Sequence, residues 1–438
     1  MRSKPSEEDC LRQSTIGEMT ISGHKLVEGV LVSNRRTFLK TGAAAGAATL
    51  LPATSMQVHA NTEGVKSYHR LGRTDLEVSD ISFGTTRLRS GTESLVDYAI
   101  DKGINYFDCA ESYARGQAET VLGNALKGGK RENVYVVSKS MLRPDTSAAE
   151  MMRRLEESLG RLQTDYVDIY MSHAVNDVAV VANPEWVKFV DQAKAQGKIR
   201  FSGISGHGGY LIDCVDYALD NDMIDVMLTA YNFGQDPKFY EGLTRRFDWV
   251  ATQEELPRVI KKAKSKDVGV VAMKTLMGAR MNDMRPYEKN GSTFSQAAFK
   301  WVLANQDVDA LIITMGEKQQ IDEFLGASGA QEVAAHEVEL LQRYAILNGG
   351  THCRQACNAC EGACPYEVPI ADVMRTRMYA TDYQDLEFAR EEYAMLGSGA
   401  SACLSCSGQP CQDACPNGLE IDKLCAPTHR MLTSERLA

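Results

Sequence analysis

The stretch I-N-Y-F-D-C-A-E-S-Y, residues 104–113, joins a short apolar run to the polar residues Asp108 and Tyr113. The run has the length and apolar content of a buried strand. Two later runs are built in the same way, and each ends beside a polar side chain, Lys139 in one and His173 in the other. Amphipathic stretches separate the runs, and strands that alternate with helices predict a parallel sheet. Polar residues at the carboxyl ends of its strands would then share one site.

Eight strand-then-helix units can be counted after a hairpin-like opening at residues 71–76. The predicted strands are Ile81–Gly84, Ile104–Phe107, Val134–Ser138, Val167–Met171, Ile199–Ile204, Val226–Ala230, Gly269–Met273 and Ala310–Thr314. Eight units across roughly 250 residues fit an α/β fold of the (β/α)8, or TIM, barrel type. A doubly wound sheet is the alternative, but it requires a glycine-rich phosphate loop after the first strand. The sequence G-T-T-R at residues 84–87 lacks that pattern.

A carboxylate, a phenol, an ammonium and an imidazole at one edge of a sheet suit proton delivery to a carbonyl oxygen. A free tyrosine is a poor acid near neutrality, because its pKa is about 10. A nearby ammonium lowers that pKa by stabilising the phenolate, and a carboxylate holds the ammonium in place. Each residue alone could be structural, but four in order at strand ends predict a catalytic site.

Three sequence segments resemble the catalytic tetrad motifs of the aldo/keto reductases: N-Y-F-D-C-A-E-S-Y, V-V-S-K-S and V-D-I-Y-M-S-H. Residues 119–126, 159–168 and 197–200 resemble other parts of that family, so the likeness extends along the predicted barrel. The resemblance implies an oxidoreductase that transfers hydride between NADP or NAD and a small carbonyl or alcohol substrate. The rival hypothesis is an exported electron carrier whose barrel no longer turns over a carbonyl.

The resemblance assigns a role to each member of the tetrad. Tyr113 would be the general acid in reduction, and Lys139 would activate it electrostatically. Asp108 would pair with that ammonium. His173 would hydrogen-bond the substrate oxygen and orient it.

The nicotinamide pocket that the resemblance implies lacks several of its usual residues. Ser205 of a Ser-Asn pair is present, but Gly206 replaces the Asn, and Leu228 stands near an expected Gln. The family often stacks an aromatic ring on the nicotinamide from the end of strand seven. Here that position is Met273-Lys274, so Tyr231 is the candidate for the stack.

A phosphate of the dinucleotide is expected after strand eight. Gly316 and its neighbours would present backbone N–H groups at a helix start. Lys318 is the nearby cation for a 2′-phosphate, which is too little to choose NADP over NAD. The predicted cofactor residues are therefore Ser205, Tyr231, Gly316 and Lys318.

Beyond residues 332–347, a predicted helix that leaves the barrel, the chain becomes rich in cysteine. One run is spaced C-x3-C-x2-C-x3-C, the next C-x2-C-x4-C-x3-C, and a proline follows each. These runs resemble bacterial ferredoxins, in which three cysteines hold one cluster and the fourth ligates the other. The resemblance implies two 4Fe–4S clusters in a small, mostly helical ferredoxin-like domain. Its ligand sets would be Cys353, Cys357, Cys360 and Cys415, and Cys403, Cys406, Cys411 and Cys364.

Two alternatives remain open for these cysteines. Two zinc sites of four thiolates each are possible, as are disulfides formed after export. Clusters could pass electrons to a redox partner protein or only brace the domain. The remaining cysteines of the folded chain, Cys109, Cys214 and Cys425, are expected to be buried spectators.

The amino end carries R-R-T-F-L-K at residues 35–40, a mildly apolar run at 41–51 and V-H-A at 58–60. This pattern predicts a twin-arginine signal read by the export machinery, and a periplasmic protein. The alternatives are a disordered basic leader and a buried helix of Ala and Gly. The predicted organisation is a leader over 1–60, the barrel over 61–330 and the ferredoxin-like domain over 331–438.

Composition narrows the partners of this 438-residue chain. A formal net charge of −10 argues against nucleic acid. Hydrophobic residues make up 44% of the chain, enough for a substantial core. Because a membrane helix needs about 18 or more apolar residues in a row, no transmembrane anchor is expected in the mature chain.

Overall fold

The computed structural model describes residues 64–235, 255–278, 283–407 and 409–433. The predicted export signal lies outside these residues. All of the described residues belong to one compact unit of the chain, His59–Ala438.

Eight parallel strands close into a barrel, which confirms the predicted (β/α)8 fold. A short antiparallel hairpin of β1 (Tyr68–Arg70) and β2 (Glu77–Ser79) precedes them. The barrel strands are β3 (Ile81–Gly84), β4 (Tyr106–Asp108), β5 (Tyr135–Ser140), β6 (Val167–Ser172), β7 (Ile199–Gly206), β8 (Val226–Ala230), β9 (Gly269–Met273) and β10 (Ala310–Thr314). Each pairs with the next along the chain, and β10 returns to β3.

Four of the eight predicted strands have the observed bounds, and the other four are extended or shifted by one to two residues at an end. The carboxyl-end extensions matter for the site, because β4 includes Asp108 and β5 includes Lys139. The ladder between β5 and β6 continues to the pair Ser140–Ser172, so hydrogen bonding holds these strands past the apolar run.

Helices fill the outer layer and continue past the barrel. Those of the barrel layer are α1 (Glu93–Asp101), α2 (Gln117–Ala125), α3 (Ala148–Leu162), α4 (Val178–Val181), α5 (Pro184–Ala195), α6 (Leu211–Asp220), α7 (Glu255–Ser265), α8 (Phe294–Leu303) and α9 (Lys318–Leu325). Those that follow are α10 (Ala335–Asn348), α11 (Ile370–Thr381), α12 (Leu386–Ala394), α13 (Pro410–Ala414) and α14 (Ile421–Thr433). In α3 the Ser147 side chain caps the first turn, and Met151, Leu155, Leu159 and Leu162 form a buried apolar stripe.

The hairpin before the barrel closes its amino-terminal end. Leu71, Leu76 and Val78 join the side chains that fill the barrel interior. Gly72 has a φ of +48°, and a Cβ there would lie 2.2 Å from the backbone nitrogen of Gly269. Only glycine fits this approach, so the turn can seat against β9.

The cysteine-rich segment has its own apolar core and lies against the carboxyl ends of the barrel strands. We call its residues 370–394, which include α11 and α12, the cap. Asn176 donates to Asp372 of the cap over 2.8 Å, and Lys274 donates to Tyr379 over 3.2 Å. The segment is helical as predicted, and its ferredoxin-like character stays a prediction. Among the described residues, each helix is too short or too polar to cross a bilayer.

Candidate active site

Lys139 and Asp108 form a buried ion pair at the carboxyl ends of β5 and β4. The Lys139 Nζ atom lies 2.7 Å from Asp108 Oδ1 and 2.5 Å from the carbonyl oxygen of Cys109. The two side chains are 0% and 1% exposed. The pair is shielded from water, so its geometry is held by packing as well as by charge.

Tyr113 and His173 complete the predicted tetrad. Tyr113 begins a 3-10 turn that follows β4, and its ring centre lies 5.0 Å from the Nζ atom of Lys139. His173 follows β6, and its ring meets that of Tyr113 edge to face at 5.7 Å. The backbone N–H of His173 donates to Ser140, which fixes the loop to β5. The structure therefore brings the four residues together.

The electrostatics of the site differ from the expectation in one respect. Burial, and then the charge of Asp108, raise the pKa of Tyr113 well above its ordinary value. The expected lowering by Lys139 is not observed, because the carboxylate at 2.7 Å offsets the ammonium. Burial and then Lys139 lower the pKa of His173 well below its ordinary value. The phenol is therefore protonated and the imidazole neutral near pH 7.

A cleft of about 210 Å³ leads from the surface to Tyr113. Its barrel side includes Ser112 and Arg115, and its other side is the cap, including Phe388. Arg115 crosses its rim in an ion pair with Glu387 of the cap at 2.7 Å. A small molecule that enters this cleft would contact the phenol ring of Tyr113.

The structure explains part of the altered nicotinamide pocket. Ser205 is buried in β7, and its hydroxyl accepts from the backbone N–H of Ala174. At Gly206 a Cβ would lie 2.5 Å from Leu211 Cδ1 and 3.0 Å from the carbonyl oxygen of Val175. The Asn side chain of the family has no space at this position.

Three predicted cofactor residues make their contacts with residues outside the tetrad. The Tyr231 ring packs against Trp301 of α8 at 5.0 Å, in the layer outside the barrel, which argues against its stacking on a nicotinamide. Gly316 stands before α9, and its N–H donates to Gln320. The Lys318 ammonium lies over the Tyr98 ring at 5.0 Å.

The eight predicted ligand thiols fall into two neighbourhoods. Burial raises the pKa of Cys353, and the thiols that add to this rise are those of Cys357, Cys360 and Cys415. Burial also raises the pKa of Cys411, with contributions from Cys364, Cys403 and Cys406. Within the described ranges, three His, Cys, Asp or Glu side chains nowhere close around a single metal ion.

Cys425, a predicted spectator, adjoins one of these neighbourhoods. Its thiol hydrogen-bonds Cys403 and lowers the pKa of Cys403 to about 7. Cys109 and Cys214 are buried in the barrel, as expected.

Three polar residues of this end of the barrel escaped the sequence analysis as site residues. His207 follows β7 and Lys274 follows β9, so the strand-end rule that found the tetrad applies to them too. Tyr379 lies on α11, with its hydroxyl 3.2 Å from Lys274 Nζ and 3.3 Å from His207 Nε2. No local signal marks this tyrosine, because its position depends on how the cap packs.

Comparisons with known proteins agree with this geometry. The model of the aldo/keto reductase family matches residues 80–345, and that of the twin-arginine translocation signal matches residues 33–52. The family match ends before the cysteine-rich segment. The signal match confirms the predicted twin-arginine export signal.

Relatives and solved structures cover the barrel. The chain is 25% identical to the uncharacterized oxidoreductase YqkF of Bacillus subtilis, over 63% of this chain and 95% of YqkF. It is 26% identical to L-galactose dehydrogenase of Arabidopsis thaliana, over 62% of this chain and 91% of that enzyme.

Two solved structures share the fold. The holo form of aldo-keto reductase AKR11C1 from Bacillus halodurans matches with a TM-score of 0.50 and 21% identity, over 63% of this chain and 95% of that chain. The thermostable aldo-keto reductase Tm1743 matches with a TM-score of 0.50 and 24% identity, over 64% and 99%. With a family match over more than half its length and the tetrad assembled at the strand ends, the chain belongs to the aldo/keto reductase family of oxidoreductases.

Proposed function

We propose that this protein transfers hydride between a nicotinamide cofactor and a carbonyl or alcohol substrate, with Tyr113 as the proton donor in reduction. The observation that carries the proposal is the buried pair of Lys139 and Asp108, with the Tyr113 ring 5.0 Å from its ammonium. The His173 ring meets the Tyr113 ring edge to face. These are the groups that a carbonyl reductase needs at the oxygen of its substrate.

The roles of the residues follow from their charge states. The protonated phenol of Tyr113 donates its proton to the carbonyl oxygen as negative charge develops there. Neutral His173 donates a hydrogen bond to the same oxygen and orients it. Lys139, held by Asp108, stabilises the phenolate that Tyr113 leaves behind. In oxidation the steps reverse, and the phenolate is the base.

A bound nicotinamide supplies or accepts the hydride. The first turn of α9 supports a phosphate site, because the side chain at its N-cap, Glu317, does not cap it. Ser205 supports contact with the carboxamide, while Gly206 and Leu228 leave out the family's other polar contacts. We propose NADP or NAD as the cofactor.

We also propose that the cysteine-rich segment holds two 4Fe–4S clusters. The neighbourhoods of Cys353 and Cys411 support this proposal, because each contains four thiols drawn from both runs. That division matches the ferredoxin arrangement, in which the last cysteine of each run serves the other cluster. Bound clusters supply single-electron transfer, and a redox partner protein outside the cytoplasm, in the periplasm, would exchange those electrons.

Replacement of Tyr113 by Phe tests the enzymatic proposal. The ring stays and only the acidic oxygen is lost, so carbonyl reduction should fall by roughly 100-fold or more. The assay is NADPH- and NADH-dependent reduction of aldehydes and ketones, with dinucleotide affinity measured by fluorescence quenching. Affinity should be unchanged. The control is Tyr366→Phe, at an exposed tyrosine of the cysteine-rich segment. Activity of Tyr113→Phe within about threefold of the parent would remove Tyr113 from its role.

Iron analysis tests the clusters. Protein purified without oxygen should be brown and carry about eight irons and eight acid-labile sulfides per chain. Bound zinc with no labile sulfide would instead support the zinc sites.

An exported electron carrier with an inactive barrel is the second candidate. It is favoured by the lack of space at Gly206 and by Tyr379 of the cap, which lies between Lys274 and His207 at the strand ends. In that case neither NADPH nor NADH would quench protein fluorescence, and the parent would reduce no carbonyl.

A further inference from the structure

A second cluster of polar side chains lies at the carboxyl ends of the barrel strands, beside the tetrad. Lys274 Nζ lies 3.2 Å from the Tyr379 hydroxyl, which lies 3.3 Å from His207 Nε2. Lys274 has a φ of +57°, an uncommon conformation for a residue with a side chain. The surrounding structure therefore holds this lysine in place at some cost.

The hydrogen bonds leave one nitrogen of this cluster without a partner. When Lys274 is charged, its ammonium donates to the Tyr379 oxygen. The direction of the hydrogen bond between the Tyr379 hydroxyl and His207 Nε2 depends on the imidazole tautomer. Burial lowers the pKa of His207 well below its ordinary value, so its imidazole is neutral. The other ring nitrogen, Nδ1, is buried and has no hydrogen-bond partner among the described residues.

Lys274 and His207 line a cavity of about 20 Å³ between the barrel and the cap. The volume suffices for one water molecule or for one oxygen atom of a ligand. Its charged lining consists of Lys274, Arg354, Arg375, Arg377 and Asp382, and cations are the majority although Arg375 is ion-paired with Asp372. The thiol of Cys353, one of the proposed cluster ligands, also lines the cavity. Arg375 Nε is buried and, in the described part of the chain, also has no hydrogen-bond partner.

The unfilled charged groups of the cavity are donors. Within the described residues the Lys274 ammonium makes one hydrogen bond, and the Arg375 Nε–H makes none. His207 Nδ1 is also without a partner there. A group with several lone pairs and negative charge is the complement of such a set, and a carboxylate is the simplest example.

The cavity and the reacting centre lie at the same edge of the barrel. His207 follows β7 and His173 follows β6, and these two strands are paired neighbours. Lys274 of the cavity and Lys139 of the tetrad both contribute to the lowered pKa of His173, which agrees with this placement. An anion seated on Lys274 would thus be close to a carbonyl held between Tyr113 and His173.

We propose that this cavity binds a carboxylate of the substrate, so that the enzyme acts on short oxo acids or the corresponding hydroxy acids. This inference rests on the proposed function. Oxyanions could also come from the diphosphate of a nicotinamide dinucleotide. The position favours the substrate, because the phosphate site supported above is at α9, after β10.

The charge on Lys274 makes binding depend on pH. Burial, and then the charge of Arg375, lower its pKa to about 7, while Glu392 of the cap opposes this. The other groups that face it are the Tyr379 and Tyr383 rings and the neutral imidazoles of His173 and His207. The cavity lining adds the charged side chains Arg354, Arg377 and Asp382. An anion raises this pKa, so affinity should fall as the pH rises above 7, by roughly tenfold per unit.

The test uses the full-length protein with its metal content intact and measures oxamate binding by calorimetry. Lys274→Met keeps the length of the side chain and removes the charge, so oxamate should bind roughly 10- to 100-fold more weakly. The dependence on pH should disappear with it. Lys261→Met, at an exposed lysine of α7, is the matched control and should bind like the parent. Tyr379→Phe should weaken binding less, since it removes only the hydroxyl that orients His207.

Equal oxamate affinity of the parent and Lys274→Met, or no binding to the parent, would overturn the inference. It would also fail if Lys274→Met lost NADPH affinity instead, because the cavity would then belong to the dinucleotide. Comparison of pyruvate with methyl pyruvate as substrates separates the two proposals. If the parent and Lys274→Met reduce both pyruvate and methyl pyruvate equally well, the enzymatic function stands and the carboxylate site is excluded. If Lys274→Met loses oxamate binding but the parent reduces no carbonyl, the carboxylate site stands and the enzymatic function is excluded.

Discussion

The ion pair of Lys139 and Asp108 gives the sharpest prediction about the stability of this fold. Asp108→Asn keeps the size of the side chain and removes its charge, which leaves the ammonium buried with the carbonyl of Cys109. The variant should unfold far more easily than the parent. It should also lose activity, because the tetrad depends on the same pair.

The magnitude follows from the geometry. At 2.7 Å and an effective dielectric constant of about 20, the attraction between the charges is about 6 kcal/mol. Desolvation of both ions offsets much of this, so the intact pair adds little net stability. Removing one partner leaves the other ion buried and without its counter-charge, and such changes lower the free energy of unfolding by about 3–5 kcal/mol. The double variant Asp108→Asn with Lys139→Met should recover most of that loss.

Urea unfolding followed by tryptophan fluorescence measures the effect, since Trp186 is buried in the barrel layer. With a slope of about 3 kcal/mol per molar urea, the midpoint should fall by about 1–1.7 M. Asp283→Asn, which breaks an exposed pair with Arg285, is the control and should not move the midpoint. If Asp108→Asn behaves like this control, or if the double variant is no more stable than Asp108→Asn, the reasoning about the buried charge is wrong.

Two further predictions concern the ends of the chain. Cys415→Ser should lose about half of the iron, from the cluster formed mainly by the first cysteine run. The control, Cys214→Ala in the barrel, should keep all of its iron. A full iron content in Cys415→Ser would exclude this thiol as a ligand. Changing Arg35 and Arg36 together to Lys keeps the charge but removes the guanidinium pair. Immunoblots should then show full-length precursor retained in the cytoplasm. Continued export of a chain that begins near residue 61 would contradict the assignment of the signal.

The barrel and the tetrad follow from local sequence. Apolar runs of strand length alternate with amphipathic stretches, and parallel strands bring their carboxyl ends to one edge, so Asp108, Lys139 and His173 had to meet. The bounds of the strands do not follow from local sequence alone. The ladder of β5 with β6 continues past the apolar run because backbone hydrogen bonds do not depend on side-chain polarity.

Tertiary structure decided the parts that depend on direction and burial. Tyr231 follows a strand like the tetrad residues do, but its ring packs outward on Trp301, a contact set by the position of α8. The pKa of Tyr113 is raised, although an ammonium is near, because the carboxylate offsets that charge and burial disfavours the phenolate. Lys274 and His207 acquire Tyr379 as a partner from α11, more than a hundred residues away. The spacing of apolar residues shows which face of a helix or strand is apolar. It does not show which distant element will cover that face.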